Sequence, residues 1–453
     1  MASQDTLNLG HQLSNIKPSG PLKVTCLTIG SRGDVQPYIA LCKGLQRAGH
    51  VCTIATHPEF KQWIEAYGIK FASIGGNPKE LMKHCVEHGI LSFSFWRQGY
   101  SKFSGWLKEL LHNSGEVARG SDLLIESPTT MVGAHIAESL QIPYYRAFTM
   151  PWTSTSEYPH AFAVPSQARG AMYNRMSYTL FDRLIWAGTS RFINHWRKQD
   201  LGLGPISYNA LKAREHPFLY NFSEKVVTRP HDWKEWVHLT GYWVLNDSPK
   251  DVEHIPIEAQ LPHGLESFIK TSREDEKKVV YIGFGSVIVP DPEEMTRMIA
   301  EAVKGADVHA VVSGGWSAKD SKVGAVGMKE QLKEFSDRIF YVDSVPHRWL
   351  FNQIDAAVHH GGAGSTGASL RGARETTIIR PFFGKFDYFR NFRAQRVEEL
   401  GVGTNLHDFN AENLKEALKR ATTDEAQITK AAELGVQLRS ENGVNNAIQT
   451  IYR

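Results

Sequence analysis

Short apolar runs alternate with stretches of helical periodicity through the first part of the chain. Leu22–Ile29 is an apolar, β-branched run that predicts a strand, and Pro37 is expected to open the next helix, where its missing N–H costs nothing. Further apolar runs at Val51–Ala55 and Ile69–Ile74 predict two more strands. Strands that alternate with helices indicate a parallel sheet covered by helices on both faces.

The second half of the chain repeats this pattern. Its apolar runs each predict a strand that ends in a loop of small or polar residues; the runs are Val279–Ile282, Val308–Val312, Ile339–Val342, Ala356–Val358 and Thr377–Ile379. Ligands bind at such loops, outside the carboxyl ends of parallel strands. We therefore expect an α/β protein with two doubly wound, Rossmann-like domains facing each other across a cleft.

Composition narrows the class of protein. The length of 453 residues favours two domains, and 42% apolar with 22% charged residues is typical of a soluble globular chain. A net charge of +3 gives no support for nucleic-acid binding. The four cysteines, Cys26, Cys42, Cys52 and Cys85, lack metal-ligand spacing and are expected to be reduced thiols. No apolar run approaches the roughly 18 residues that span a bilayer.

The stretch 357–368 predicts an anion site. It is a strand end, a glycine-rich turn and a helix start, whose free N–H groups and dipole attract phosphates. Ser365 and Thr366 add hydroxyl groups, and His359 and His360 precede the turn, although one histidine can equally be a core residue bonded to a carbonyl. The sequence has no Walker motif and no D-x-D pair for a cation, so we expect no metal.

Asp34 is the candidate for acid–base chemistry. After the first strand it is either a helix N-cap or a general base that takes a proton from an attacking hydroxyl. Arg32 either pairs with Asp34 or is a solvated loop charge. The aromatic residues between Phe93 and Trp106 suit an apolar acceptor, or pack a helix on its own domain, or form a lip at a membrane surface.

The motifs at 30–37, 283–286, 345–347 and 359–368 resemble those of the UDP-glucose:sterol glucosyltransferases, inverting enzymes of the GT-B fold. The segments 125–129, 146–153 and 158–162 resemble the sterol branch in particular. The resemblance covers about residues 21–453. It implies metal-independent transfer of glucose from UDP-glucose to the 3-hydroxyl of a sterol such as ergosterol or cholesterol, giving a steryl β-glucoside and UDP, with UDP-glucose as co-substrate and no cofactor.

The resemblance also implies roles and boundaries. Asp34 is the expected catalytic base. The expected donor-binding residues are Ser31, Arg32, Gly33, Gly285, Ser286, Val345, Pro346, His347, His359, Gly361, Gly362, Ala363, Gly364, Ser365, Thr366 and Asp387. The expected acceptor-binding residues are Phe93, Phe95, Trp96, Trp106, Met150, Trp152, Tyr158 and His160. We expect a disordered lead-in over 1–20, an acceptor-binding domain over 21–245, a nucleotide-sugar-binding domain over 246–435, and a C-terminal helix over 436–453 that crosses back to the first domain. A cytoplasmic, peripherally membrane-associated protein is implied.

One segment departs from the family pattern. The family follows Pro-Phe-Phe-Gly with an Asp-Gln pair that is expected to grip glucose hydroxyls, whereas this chain has Lys385 and Phe386 there and a longer, more basic segment up to Arg396. Asp387 is the candidate replacement. The alternatives are a non-catalytic or impaired nucleotide-sugar or lipid binder, and a glycosyltransferase for another lipophilic alcohol. An NAD enzyme is disfavoured because 53–57 supplies no acidic residue for a ribose.

Overall fold

The structure is a computed structural model that describes residues 20–77, 80, 93–165, 169–245, 260–285, 291–314, 332–372, 376–379 and 388–453, apart from the side chains of 93–102, 333, 376 and 388–391. The chain forms two compact units. The first contains the described residues of 20–224, 228–245 and 442–453, and the second contains 225–227 and the described residues of 260–441.

A parallel sheet of seven strands forms the centre of the first unit. The strands are β1 (Lys23–Leu27), β2 (Val51–Thr56), β3 (Lys70–Ser73), β4 (Leu123–Glu126), β5 (Tyr144–Phe148), β6 (Phe218–Tyr220) and β7 (Val237–Leu239). Their order in the sheet is β3-β2-β1-β4-β5-β6-β7, and each neighbouring pair is parallel. This order places the carboxyl ends of β1, β2, β4 and β5 next to one another.

Helices cover both faces of this sheet. They are α1 (Arg32–Arg47), α2 (Lys61–Ala66), α3 (Phe93–Ala118), α4 (Gly133–Leu140), α5 (Gly170–Gln199) and α6 (Tyr208–Lys212), together with α14 (Gly443–Ile451) from the end of the chain. One apolar cluster joins the sheet to α1 and α14, and a second joins it to α3, α4 and α5. Alternate strand residues point to opposite faces, so both faces bury apolar side chains.

The first helix begins earlier than the sequence predicts. Pro37 was expected to be its first residue, but α1 begins at Arg32 and contains Pro37 within it. Ser31 is the N-cap, and Asp34, at the third helical position, accepts a hydrogen bond from the Ser31 N–H. This capping box fixes the helix start five residues before the proline. The alternative that Asp34 is itself the N-cap is therefore wrong.

The second unit repeats the arrangement with six parallel strands. They are β8 (Val279–Gly283), β9 (His309–Ser313), β10 (Ile339–Val342), β11 (Ala356–His359), β12 (Thr376–Ile379) and β13 (Gly403–Asn405), in the order β10-β9-β8-β11-β12-β13. The helices are α7 (Leu265–Glu274), α8 (Pro292–Ala306), α9 (His347–Leu350), α10 (Ala363–Leu370), α11 (Tyr388–Glu399), α12 (Ala411–Thr423) and α13 (Glu425–Ser440). Apolar clusters lie on both faces of this sheet as well. The expected doubly wound α/β class is confirmed for both units.

The end of the chain forms two helices where one was expected over 436–453. Helix α13 ends at Ser440, and the Asn442 side chain then accepts a hydrogen bond from the Asn445 N–H at the start of α14. Gly443 lies so close to the carbonyl groups of Gly241 and Tyr242 that a Cβ atom would overlap them. Helix α14 is thereby packed into the first unit.

Within the described part of the chain, no helix combines the length and the apolar character that a bilayer-spanning segment needs.

Candidate functional site

The loop after β1 holds Asp34 in one orientation. Asp34 Oδ2 accepts hydrogen bonds from the Ser31 N–H at 2.7 Å and from the Ser31 hydroxyl at 3.0 Å. Gly30 has a φ of 131°, and a Cβ atom there would overlap Asp34 Oδ2. The carboxylate is therefore folded back against the Gly30 backbone, which only glycine permits. Asp34 remains partly exposed.

His57 supports this loop from beneath, and sequence reasoning missed it. It follows β2, the neighbour of β1, and is fully buried. Its Nε2 accepts the Gly30 N–H at 3.2 Å, so Nδ1 carries the proton that is donated to the Gly75 carbonyl at 2.9 Å. Burial lowers the pKa of His57. The available signal was its position at the end of the strand beside β1.

The Arg32 side chain contacts an aromatic ring of its own unit. Its guanidinium lies over the ring of Trp63, 4.4 Å from the ring centroid, rather than in an ion pair with Asp34. Such a cation–π contact holds the side chain against the surface of its own unit. Ser31, Arg32 and Gly33 are exposed, so the loop offers backbone and side-chain donors to solvent.

The loop after β4 is held by a buried carboxylate. Glu126 accepts the N–H groups of Val132 at 2.7 Å and of Gly133 at 2.8 Å, and also the hydroxyls of Thr130 and Tyr144. Saturation by donors is what makes a buried carboxylate tolerable. The same loop reaches the loop after β1, because the Thr129 hydroxyl donates to the Ile29 carbonyl at 3.4 Å.

An aromatic cluster follows β5 and contains expected acceptor residues. His160 is fully buried, its ring stacks on Phe181 with centroids 4.1 Å apart, and Trp152 meets it edge-on at 4.8 Å. His160 Nδ1 accepts the Phe162 N–H at 3.2 Å, so Nε2 carries a proton, and within the described ranges that N–H has no hydrogen-bond partner. Burial lowers the pKa of His160 to about 3, so the ring is neutral.

Polar anchors fix the backbone around this cluster. The Tyr220 hydroxyl accepts the N–H groups of Trp152 at 2.8 Å and Thr153 at 2.6 Å. Asp232 accepts the Thr155 hydroxyl at 2.6 Å and the Ser156 N–H at 2.8 Å. Hydrogen bonds of this kind restrict the loop to one conformation and leave its aromatic side chains in fixed positions.

The remaining expected acceptor residues are spread over the same unit. Met150 is buried, and Trp152 and Tyr158 are half-buried. Trp106 lies on α3, 6.0 Å from the His57 ring, where its indole fills the space above Gly76. Phe93, Phe95 and Trp96 belong to the first turn of α3, and their side chains lie outside the described part of the chain.

In the second unit, His359 ends β11 and is fully buried. Its Nδ1 accepts the Gly361 N–H at 3.1 Å, so Nε2 carries the proton, and this N–H has no hydrogen-bond partner among the described residues. Burial, with smaller contributions from the nearby His347 and Arg393, lowers the pKa of His359 to about 3. The ring is therefore a neutral hydrogen-bond donor and not a positive charge.

The turn after His359 leads into α10 as the sequence predicts. Gly361 has a φ of 81°, and Gly362 is the N-cap, so the first N–H groups of α10, from Ala363 to Ser365, are without helical partners. Gly364 is exposed and open, with nothing within 4 Å of a Cβ atom placed there. The Thr366 hydroxyl is buried, and no hydrogen-bond partner for it lies in the part of the chain that the structure describes. Backbone amides and unpartnered donors at a helix start form an anion site.

Two histidines line the neighbouring loops. A Cβ atom on Gly285 would lie 3.1 Å from the His360 ring, and one on Gly362 would lie 2.5 Å from it, so the ring lies between the two glycine turns. His347, at the start of α9, stacks on Phe351 at 4.6 Å and lies 3.3 Å from the Tyr281 hydroxyl. Val345 and Pro346, which precede it, are half-buried.

Arg393 joins this site from the segment that departs from the family pattern. It lies on α11 and donates through Nη1 to the Gly361 carbonyl at 3.0 Å. The sequence marks the segment as unusually basic but gives no reason to place this residue at the glycine turn. Ser286 and Asp387, both expected donor-binding residues, lie outside the described part of the chain.

Comparisons with known proteins show similarity to glycosyltransferases. Residues 24–159 match the glycosyltransferase family 28 N-terminal domain, and residues 323–450 match the erythromycin biosynthesis protein CIII-like C-terminal domain. A sterol 3-beta-glucosyltransferase of Cryptococcus neoformans var. neoformans serotype D is 53% identical over 441 residues, which cover 96% of this chain and 27% of that protein. One from Neurospora crassa is 51% identical over 440 residues, covering 97% of this chain and 28% of that protein.

The chain is similar to the sterol 3-beta-glucosyltransferases over nearly its whole length. It spans less than a third of the length of these curated relatives.

Solved structures of glycosyltransferases share the fold of this chain. The calicheamicin glycosyltransferase CalG4 has a TM-score of 0.66 at 16% identity, covering 94% of this chain and 96% of its own. The glycosyltransferase VinC, solved in complex with dTDP, has a TM-score of 0.63 at 17% identity, covering 95% of this chain and 98% of its own. At these identities the likeness concerns the fold, which is GT-B.

Proposed function

We propose that this chain transfers glucose from UDP-glucose to the 3-hydroxyl of a sterol, with inversion, giving a steryl β-glucoside and UDP. The observation that carries the proposal is a pair of buried donors beside the open start of α10, His359 Nε2 and Thr366 Oγ1, which have no hydrogen-bond partner among the described residues. An unmade buried hydrogen bond costs free energy, so such groups favour a ligand that completes them. The oxygens of a diphosphate have that chemistry.

The donor side of this mechanism uses hydrogen bonds without a metal ion. The N–H groups at the start of α10, the His359 N–H and the Thr366 hydroxyl meet charge that develops on the leaving diphosphate. Arg393 adds a positive charge at the same turn, because its guanidinium is fixed on the Gly361 carbonyl. Fixed donors of this kind need no reorganisation as the bond breaks.

The acceptor side depends on Asp34. As the sterol oxygen forms its bond to the anomeric carbon, the hydroxyl proton passes to the Asp34 carboxylate and the bond to the phosphate oxygen breaks with its electron pair. One displacement on an α-linked donor inverts the anomeric carbon. Ser31 orients the carboxylate through its N–H and hydroxyl, and His57 fixes the Gly30 backbone beneath it.

The hydrocarbon body of the sterol acceptor suits the aromatic cluster around His160. A sterol presents a rigid hydrocarbon body and one hydroxyl, so apolar walls bind most of its surface. Trp152 and Tyr158 supply half-buried aromatic surface beside that cluster. Because sterols reside in bilayers, we place the protein in the cytoplasm at a membrane surface, to which it binds peripherally.

A second candidate function is nucleotide-sugar binding with impaired transfer. The departure after Gly384 removes the Asp-Gln pair that the family uses for glucose, and Arg393 from that segment contacts the glycine turn. In that case UDP binds while glucose is poorly held.

A transfer assay with UDP-glucose and ergosterol or cholesterol, read by mass spectrometry, separates the two candidates. The proposed function requires a steryl hexoside and an equal amount of UDP. UDP binding without a steryl product would support the second candidate and contradict the first. The Asp34→Asn variant, isosteric with the wild type, is the matched control for background hydrolysis of the donor.

A further inference from the structure

A stripe of exposed apolar side chains runs along α5. Met172, Met176 and Leu180 have exposed fractions of 77%, 61% and 56%. Their spacing of four residues places them one above another on a single face of the helix. Large apolar side chains exposed in a row mark an interaction surface more often than an isolated exposed residue does.

The opposite face of α5 is packed against its own unit. Tyr178 and Phe181 are buried and contact the His160 ring, at centroid distances of 5.1 Å and 4.1 Å. The stripe is therefore held on a rigid helix that also forms a wall of the aromatic cluster. A helix with side chains is about 10 Å across, so only that width separates the stripe from the cluster.

Basic residues accompany the stripe. Arg175 and Arg183 lie within three residues of the stripe, and Arg191 and Lys198 lie further along α5; all four are exposed, whereas Asp182 is the only acidic residue in the sequence of this helix. Arg175 also pairs with Asp232, but its side chain is 62% exposed. An apolar stripe flanked by arginine and lysine is the pattern of a helix that lies in the interface of an anionic membrane.

We propose that the stripe of Met172, Met176 and Leu180 is the surface by which the first unit lies on an anionic lipid bilayer, with the arginines of α5 at the headgroups. The inference rests on the proposed function, because a sterol acceptor gives the chain a reason to lie at a bilayer. It names the part of the molecule that touches the membrane. A sterol leaving the bilayer at α5 then has only the width of this helix to cross before the aromatic cluster.

The test uses the whole chain and vesicles of phosphatidylcholine with cholesterol, with and without phosphatidylserine. The variant is Met172→Ser/Met176→Ser/Leu180→Ser. Its matched control is Val436→Ser, which removes another exposed apolar side chain, on α13. Circular dichroism and the thermal midpoint verify folding, which changes at exposed sites rarely disturb. A second variant, Arg183→Glu/Arg191→Glu, removes positive charge and keeps the stripe.

We expect the triple variant to bind phosphatidylserine vesicles on the order of tenfold or more weakly than the wild type, whereas Val436→Ser binds normally. The charge variant loses binding to anionic vesicles and not to neutral ones. Glucose transfer to vesicle cholesterol falls with binding, while transfer to detergent-dispersed cholesterol stays at the wild-type rate.

Wild-type vesicle binding by the triple variant would overturn the inference. So would a wild-type dimer that the triple variant dissociates while vesicle binding is kept, because the stripe would then bind a second copy of the chain. If the wild type transfers no glucose in detergent, the proposed function fails, and the vesicle-binding comparison still decides the role of the stripe.

Discussion

The carboxylate of Asp34 lies directly against Gly30, at a position where any Cβ atom on residue 30 would overlap Oδ2. The Gly30 φ of 131° is also one that other residues avoid. The observed orientation of the Asp34 carboxylate thus depends on a glycine four residues earlier in the chain.

Gly30→Ala is therefore expected to displace Asp34 and to lower kcat by on the order of a hundredfold, since small misplacements of a catalytic group are costly. The affinity for UDP should be retained, because the nucleotide is assigned to the second unit. Steady-state kinetics with UDP titration by calorimetry measure both. Gly105→Ala, with nothing within 4 Å of the added atom, is the control. Normal turnover in Gly30→Ala would show that Asp34 needs no such support.

His57→Leu removes both hydrogen bonds that join Gly30 to Gly75. We expect the free energy of unfolding to fall by about 2–4 kcal/mol, since one buried and one partly buried backbone group lose their partners. Turnover should fall as well, because the loop that carries Asp34 loosens. Denaturant melts measure the first effect, with the exposed His112→Leu as control. An unchanged free energy of unfolding would mean that water replaces the hydrogen bonds of the His57 ring without loss of stability.

The His359 N–H is expected to act as a donor in the transition state. His359→Phe keeps the ring volume and loses the donor, so kcat should fall on the order of a hundredfold or more. His359→Gln restores an N–H group and should recover part of the rate. Because burial holds the pKa of His359 near 3, its protonation should leave no trace in the rate between pH 6 and pH 9. Equal rates in His359→Phe and wild type would exclude the role.

Arg393→Met tests whether the altered segment serves the donor. Loss of its guanidinium from the Gly361 carbonyl should raise the Kd for UDP about tenfold, equivalent to about 1.4 kcal/mol. The Kd of Arg393→Lys for UDP should lie between those of the wild type and Arg393→Met, since lysine keeps the charge and loses the planar geometry. Titration calorimetry measures both, and the exposed Arg297→Met is the control. An unaltered Kd in Arg393→Met would leave Arg393 as a structural residue only.

Stability should fall steeply in acid. Burial lowers the pKa of His135, His160, His216 and His359 to about 3, whereas an unfolded histidine titrates near pH 6.5. The unfolded chain binds more protons below about pH 6.5, so each histidine removes about 1.4 kcal/mol per pH unit as the pH falls towards 3. Thermal midpoints from pH 8 to pH 5 should decline, and His216→Phe should decline less steeply. A flat profile would contradict the neutral burial of these rings.

The sequence predicted the repeated βα pattern because its strands are continuous apolar runs, as β8 and β11 show. It did not indicate β6, β7 or β13, which are three residues long and too short to carry a period. The sequence-based prediction placed the start of α1 too late, because Pro37 is a strong signal for a helix start, whereas the capping box of Ser31 and Asp34 sets the actual start. The glycine turn after His359 was readable because a helix start has a local signature.

Other parts of the site have no local signature. His57 and Gly30 are brought together by strand pairing between β1 and β2, and Arg393 reaches Gly361 across 32 residues of chain. Such contacts depend on tertiary structure, so one sequence does not display them. The exposed stripe on α5 could not be predicted from the sequence either, because exposure of its methionines depends on which face of the helix the unit buries.

Inverting transfer of glucose with Asp34 as the base is tested most directly by a single-turnover assay with UDP-glucose and a sterol. Product mass, anomeric configuration and released UDP are measured for the wild type and for Asp34→Asn. We expect a β-linked steryl glucoside and equimolar UDP from the wild type, and an Asp34→Asn variant that binds UDP normally while its turnover falls by on the order of a thousandfold. An α-linked product, or near-normal turnover in Asp34→Asn, would contradict this mechanism.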